Sequence, residues 1–79
     1  MQILKNMVRK MAKLITNLKR YRIQANLSQD ELARLVGVRR ETIVRLEARR
    51  YNPSLKLAYD IARIFNASIE EIFTFTDNW

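Results

Sequence analysis

The chain contains no cysteine and no histidine. The first absence excludes a disulfide framework and any thiolate metal site. The second removes the commonest general base and the commonest metal ligand. Glycine and proline occur once each, at Gly37 and Pro53, and mark two turns. Acidic side chains are missing from residues 1–26, and no apolar run approaches the about 20 residues that a membrane span needs. Residues 1–15 mix Lys and Arg through their apolar positions and lack a small-residue cleavage site, so they do not read as a signal peptide. The eight carboxylates are scattered, and the adjacent pair Glu70 and Glu71 projects from a helix at two different angles. These absences argue against an enzyme, a metal site and a bound cofactor.

What is present is positive charge with a gradient. The 79 residues carry a formal net charge of +7 and are enough for one small domain. A chain of this size buries only about 60% of its unfolded surface, so its stability is marginal without a partner. Residues 1–26 hold seven basic side chains, residues 27–52 six basic and four acidic, and residues 53–79 two basic and four acidic. One end can face a polyanion while the other faces something else. Charge alone fits a solvated basic surface equally well.

The segments Leu27–Ala33 and Val36–Ile43 carry the most information. Ser28 followed three residues later by Glu31 is a capping box that starts a short helix. Gly37 falls one residue after that helix's apolar run and can take the positive φ that turns the chain sharply. A second helix follows, with Ile43 and Leu46 facing inward and Arg39, Arg40, Glu41 and Arg45 facing outward. Helix, tight glycine turn and helix with long polar arms is the build of a helix-turn-helix DNA reader.

The spacing of Leu18, Tyr21, Arg22 and Ala25 predicts a first helix over about 17–25, capped by Asn17 or Thr16 and stopped by Asn26. The second helix spans about 29–36 and the third about 40–48. Residues 49–53 form a loop ended by Pro53. Ser54 caps a fourth helix over about 55–65, with an inner stripe of Leu55, Ala58, Ile61, Ala62 and Phe65, and Asn66 stops it. Ser68 with Glu71 is a second capping box, opening one or two turns through Ile69, Ile72 and Phe73. Phe73–Thr76 alternates aromatic and β-branched residues, and Leu14–Thr16 is also β-prone, so the two can pair as a small antiparallel sheet. The expected fold is therefore all-α, five helices with a small sheet formed by the terminal segments. Residues 1–13 read as a basic leader, with Ile3, Leu4, Met7, Val8 and Met11 on one helical face. Alternatively, Met11 is the true start and residues 1–10 a tail. Residues 14–76 form the DNA-binding domain and 77–79 a C-terminal tail. Nothing outside residues 14–76 is long enough for an effector-sensing domain, so no small-molecule effector is expected.

Residues 14–76 resemble the Cro/cI-type, or xenobiotic-response-element, helix-turn-helix family. The likeness runs through Leu18–Arg22, Leu27–Ala33, Val36–Val38, Thr42–Ile43, Leu46–Glu47, Tyr51–Leu55, Ile61–Phe65 and Ser68–Phe73. Within it, the chain is similar to small stand-alone repressors such as the cytolysin-operon repressor, homodimers with a strand before helix one and another after helix five. The resemblance implies a lambda-repressor-like domain with helix three in the major groove of double-stranded DNA. Arg39, Arg40, Glu41 and Arg45 would then reach base edges, where Arg suits guanine O6 and N7 and Glu can accept from cytosine N4. Ser28, Gln29, Thr42, Arg49, Arg50 and Asn52 would contact phosphate, aided by the positive end of the second helix. Arg22 and Glu47 match a structural pair tying helix one to the end of helix three. A two-fold homodimer through Ile69, Ile72, Phe73 and Phe75, near Trp79, would read an inverted-repeat operator. Such a regulator, whether repressor, activator or antitoxin, works in the cytoplasm on the nucleoid.

The chain departs from the family at position 39, where Ser or Thr is usual. Arg39 and Arg40 sit at the positive end of a helix, a misfit of about 0.3–1 kcal/mol each that a DNA anion would offset. Two other classes use similar features. One is an adaptor that binds protein through this fold, which the outward arginines argue against. The other is a membrane-surface protein acting through its basic leader.

Overall fold

The computed structural model describes residues 13–76. The leader pattern at Ile3, Leu4, Met7, Val8 and Met11, and the tail with Trp79, lie outside the described residues. In chain order the elements are β1 (Lys13–Thr16), α1 (Leu18–Gln24), α2 (Gln29–Val36), α3 (Arg40–Glu47), α4 (Leu55–Ile64), α5 (Ile69–Ile72) and β2 (Phe73–Thr76). Five helices and a small two-stranded sheet match the architecture expected from the sequence, with helix ends within about one residue.

Each helix sends at least one side chain into a shared core. Leu18 from α1, Leu32 from α2, Ile43 and Leu46 from α3, Ile61 from α4 and Ile72 from α5 are the largest fully buried residues. Among the described residues no polar or charged residue is buried in this core, so it is closed by apolar packing alone. One assignment changes. Leu55, placed on the inner stripe of α4, is 78% exposed, and Leu57 is buried in its place. Leu55 is the first residue of its helix, next to the Ser54 cap. Leu57 is one position before Ala58 and a turn before Ile61, on the side that meets the core.

The strands pair antiparallel, with Leu14 opposite Phe75 and Thr16 opposite Phe73. Directly opposed residues share a face, so Leu14 and Phe73 enter the core from one side of the sheet while Ile15 and Thr74 face outward. The start of α1 is tied to α5: Thr16 Oγ1 donates to the Ile72 carbonyl at 2.8 Å and accepts from the Leu18 N–H at 3.1 Å. Asn17 occupies the N-cap position without a side-chain cap bond; its Nδ2 instead donates to the Glu71 carbonyl.

The four longer helices end in one way. Asn26, Gly37, Arg49 and Asn66 have φ of 58°, 71°, 63° and 51°. After each, an N–H reaches back five residues: Leu27 to Arg22, Val38 to Ala33, Arg50 to Arg45 and Ala67 to Ala62, at 2.9–3.1 Å. These are Schellman closures, which satisfy otherwise orphaned carbonyls.

Candidate nucleic-acid interface

Two short helices and one glycine build the site. At the start of α2, the Ser28 hydroxyl accepts from the Glu31 N–H at 2.9 Å, and the Glu31 carboxylate accepts from the Ser28 N–H at 2.8 Å. These bonds to Ser28 hold the Glu31 carboxyl below its ordinary pKa. At the other end a Cβ on Gly37 would meet nothing within 4 Å. Glycine is needed there for its backbone conformation, not for room. The turn it makes directs Val38 back toward the core and launches α3.

Helix α3 is two-faced. Ile43 and Leu46 are fully buried, while Arg40, Glu41, Val44 and Arg45 are exposed. Thr42 is half-buried on the flank. Arg39 is extended at the N-cap and makes no side-chain cap bond, so its guanidinium leaves the helix end uncapped. Arg49, Arg50 and Asn52 are exposed in the loop that follows.

Besides the buried Ile43 and Leu46, a polar cluster at its C-terminal end ties α3 to α1 and α2. Arg22 of α1 binds Glu47 of α3 through Nε to Oε2 at 2.6 Å and Nη2 to Oε1 at 3.1 Å. Its Nη1 donates to the Leu27 carbonyl at 2.9 Å, and Gln29 Nε2 donates to Glu47 Oε1 at 3.1 Å. The Arg22 and Glu47 side chains are only 11% and 6% exposed. The Glu47 hydrogen bond pushes the Arg22 pKa further above its ordinary value, against the opposing effect of burial. Gln29, expected on phosphate, thus spends one amide proton on Glu47 and keeps the other. The same bond brings the N-terminus of α2 beside the end of α3. Gln29 is thereby held beside the end of α3, where the chain runs on into Arg49 and Arg50.

Asp30–Arg34 and Lys56–Asp60, each four residues apart on a helix, close at 2.6 Å. Glu41 and Arg45 have the same spacing on α3 and do not pair. Among the described residues, Arg39, Arg40, Arg45, Arg49 and Arg50 have no carboxylate partner, a concentration of unneutralised guanidinium groups on α3 and its loop.

The residues expected at a two-fold interface separate. Ile72 and Phe73 are 1% and 5% exposed and belong to the chain's own core. This corrects their assignment: α5 is a single turn that points Ile72 inward, and Phe73 lies on the core face of β2. Ile69 packs partly against the core, and Phe75 is 55% exposed. Sequence reasoning also missed two features of the site. Val44 stands among the charged side chains, which its position four residues after Arg40 could have indicated. Arg49 has a left-handed backbone, which no residue-type rule signals.

The arrangement is a helix-turn-helix with an arginine-bearing second helix, and the comparisons agree. The helix-turn-helix family profile matches residues 18–72, and the chain belongs to that family. An uncharacterised HTH-type transcriptional regulator of Archaeoglobus fulgidus is 63% identical over 62 residues, 78% of this chain and 87% of its own length. One from Methanocaldococcus jannaschii is 49% identical over 61 residues, 77% of this chain and 92% of its own. The crystal structure of hypothetical transcription factor NHTF from Neisseria matches with a TM-score of 0.65 at 27% identity, over 70% of this chain and 62% of that chain. The chain thus spans less than two thirds of that structure's length. Membership of this regulator family implies DNA as the partner. No helix among the described residues is long and apolar enough to cross a membrane.

Proposed function

We propose that the protein is a sequence-specific regulator of transcription that binds an inverted-repeat operator in duplex DNA as a homodimer, with α3 in the major groove. The observation that carries this reading is the cluster of five arginines on and beside α3, Arg39, Arg40, Arg45, Arg49 and Arg50, none of which has a carboxylate partner among the described residues. Arg40, Glu41 and Arg45 read base edges, with Arg39 beside them. Ser28, Gln29, Thr42, Arg49, Arg50 and Asn52 hold phosphate. The exposed Phe75 and the partly exposed Ile69 support a two-fold contact. The resemblance read from the sequence to small stand-alone repressors is the basis for assigning it repression by occupying the operator, in the cytoplasm where the DNA lies. Selection of binding sites from random duplex DNA, followed by titration against salt, tests the proposal. A two-fold symmetric consensus with affinity falling steeply with salt is expected. Recovery of no consensus, or binding independent of salt, would overturn it.

A further inference from the structure

We infer that Val44 reads the 5-methyl group of a thymine, a role that rests on the docking of α3 proposed above. Val44 is 38% exposed, whereas Ile43 before it and Leu46 after it have no exposure at all. It therefore does not serve the core. With 3.6 residues per turn, Val44 lies one turn after Arg40 and one turn before Ala48, with Glu41 on one side and the half-buried Glu47 on the other. A compact apolar side chain thus lies at the flank of the exposed face, beside the charged Arg40 and Glu41.

Its chemistry restricts what it can recognise. Valine has no donor or acceptor, so it can match none of the polar edges that bases show in the major groove. The one apolar feature there is the thymine methyl. Valine is also branched at Cβ and stiff about χ1 in a helix, so its two methyl groups present a fixed surface. The flanking groups have polar edges to bind, with Arg40 and Arg45 suited to guanine and Glu41 to cytosine. An apolar reader beside Arg40 and Glu41 favours thymine at one position of each half-site and distinguishes it from cytosine by the methyl group.

The test replaces each thymine of the selected operator in turn by deoxyuridine, which removes one methyl and leaves every hydrogen-bonding edge intact. Binding is measured for the wild-type chain and for Val44→Ala, whose melting temperature is recorded alongside. At one position per half-site the replacement should weaken wild-type binding about fourfold, the value of one buried methyl-sized group. Val44→Ala should bind the thymine operator about that much more weakly and be indifferent to deoxyuridine at that same position. Equal losses for both chains at every position, or an operator with no thymine in the half-site, would overturn the inference. Arg40→Ala separates this from a failure of the docking itself. If that variant weakens binding while the methyl coupling is absent, α3 enters the groove and Val44 is not a reader. If neither changes binding, α3 does not face DNA.

Discussion

Arg22 and Glu47, 25 residues apart in sequence, form a two-bond ion pair that is almost sealed from water. It fastens α1 to the end of α3, and Gln29 joins it from α2. The pair therefore sets the position of the recognition surface as well as contributing to the fold. Removing one partner leaves a buried charge without its counterion, so Arg22→Ala or Glu47→Ala should each cost about 3–5 kcal/mol. A double-mutant cycle in urea checks this, with a large coupling expected. Replacing both by apolar residues, as in Arg22→Met with Glu47→Leu, should cost less than either single change. A coupling near zero would show that the pair contributes no stability.

Arg49 sits at a strained backbone position, and stability and binding should respond to it in opposite directions. A left-handed conformation costs a non-glycine residue about 1–2 kcal/mol. Its counterparts at the other helix ends are Gly37, Asn26 and Asn66, residue types that tolerate that conformation. Arg49→Gly should raise the unfolding free energy by about 1 kcal/mol. The same change removes the phosphate contact proposed for Arg49 and should lower the slope of binding against salt by about 1. Urea denaturation and salt titration of one variant read both. A destabilised Arg49→Gly would mean that the arginine side chain makes contacts worth more than the strain.

The two capping boxes make stability sensitive to acid. Glu31 is held below its ordinary value of 4.5 by the Ser28 backbone and hydroxyl. Glu71 is lowered in the same way by Ser68, with a smaller contribution from Tyr21. A carboxyl whose folded pKa is depressed stabilises the fold above the unfolded value, and that contribution is lost as pH falls through the folded value. The urea midpoint should therefore drop on acidification below about pH 4.5. It should drop less in a chain with Glu31→Gln and Glu71→Gln, since Gln retains the box without the charge. Identical profiles would place the acid sensitivity elsewhere.

Base and phosphate contacts should separate by their effect on preference. Arg40→Ala or Arg45→Ala should weaken operator binding by about 1–3 kcal/mol and relax the base preference at one position. Arg50→Ala should weaken all sequences about equally. Arg50 is the better phosphate probe than Gln29, whose amide also supports Glu47. Competition between operator and scrambled duplex gives both quantities. Unchanged affinity and preference in both Arg40→Ala and Arg45→Ala would show that α3 does not read bases.

Much of this was legible in the sequence because local rules dominate a chain of short capped helices. Ser28 with Glu31, Ser68 with Glu71, Asn26, Gly37 and Asn66 each announce an end through their own chemistry. The alternation of Phe73–Thr76 and the β-prone Leu14–Thr16 located the sheet. What was not legible depends on tertiary context. Leu55 and Leu57 are the same residue type two positions apart, and only the approach of α4 to the core decides which is buried. Arg49 has no propensity for the backbone it adopts. Gln29 has a plausible phosphate role by position, and its bond to Glu47 appears only once α2 and α3 are packed. Ile72 and Phe73 showed apolar character, but not whether a partner or their own chain covers it.

That last distinction leaves Phe75 as the test of the two-fold interface. Phe75 shares a sheet face with Leu14 and Phe73 yet is 55% exposed, while both of those are buried. Its ring is therefore the exposed part of that face to test as the proposed two-fold contact. Cutting the chain before β2 would not test this, because it would also remove Phe73 and the pairing with β1. Phe75→Ser removes the exposed ring alone. Sedimentation should show a shift from dimer toward monomer, with little change in monomer stability, since a solvent-facing apolar group contributes little to the fold. Phe73→Ser is the contrasting change and should destabilise the chain itself, by about 3–5 kcal/mol for loss of a buried aromatic. A two-fold interface is self-complementary, and the proposed dimer would set the two α3 helices about 34 Å apart, matching half-site centres about 10 base pairs apart. Phe75→Ser should therefore lose affinity for the full inverted repeat while binding a single half-site as well as the wild type does. A dimer that survives the substitution at the same concentration would place the interface elsewhere.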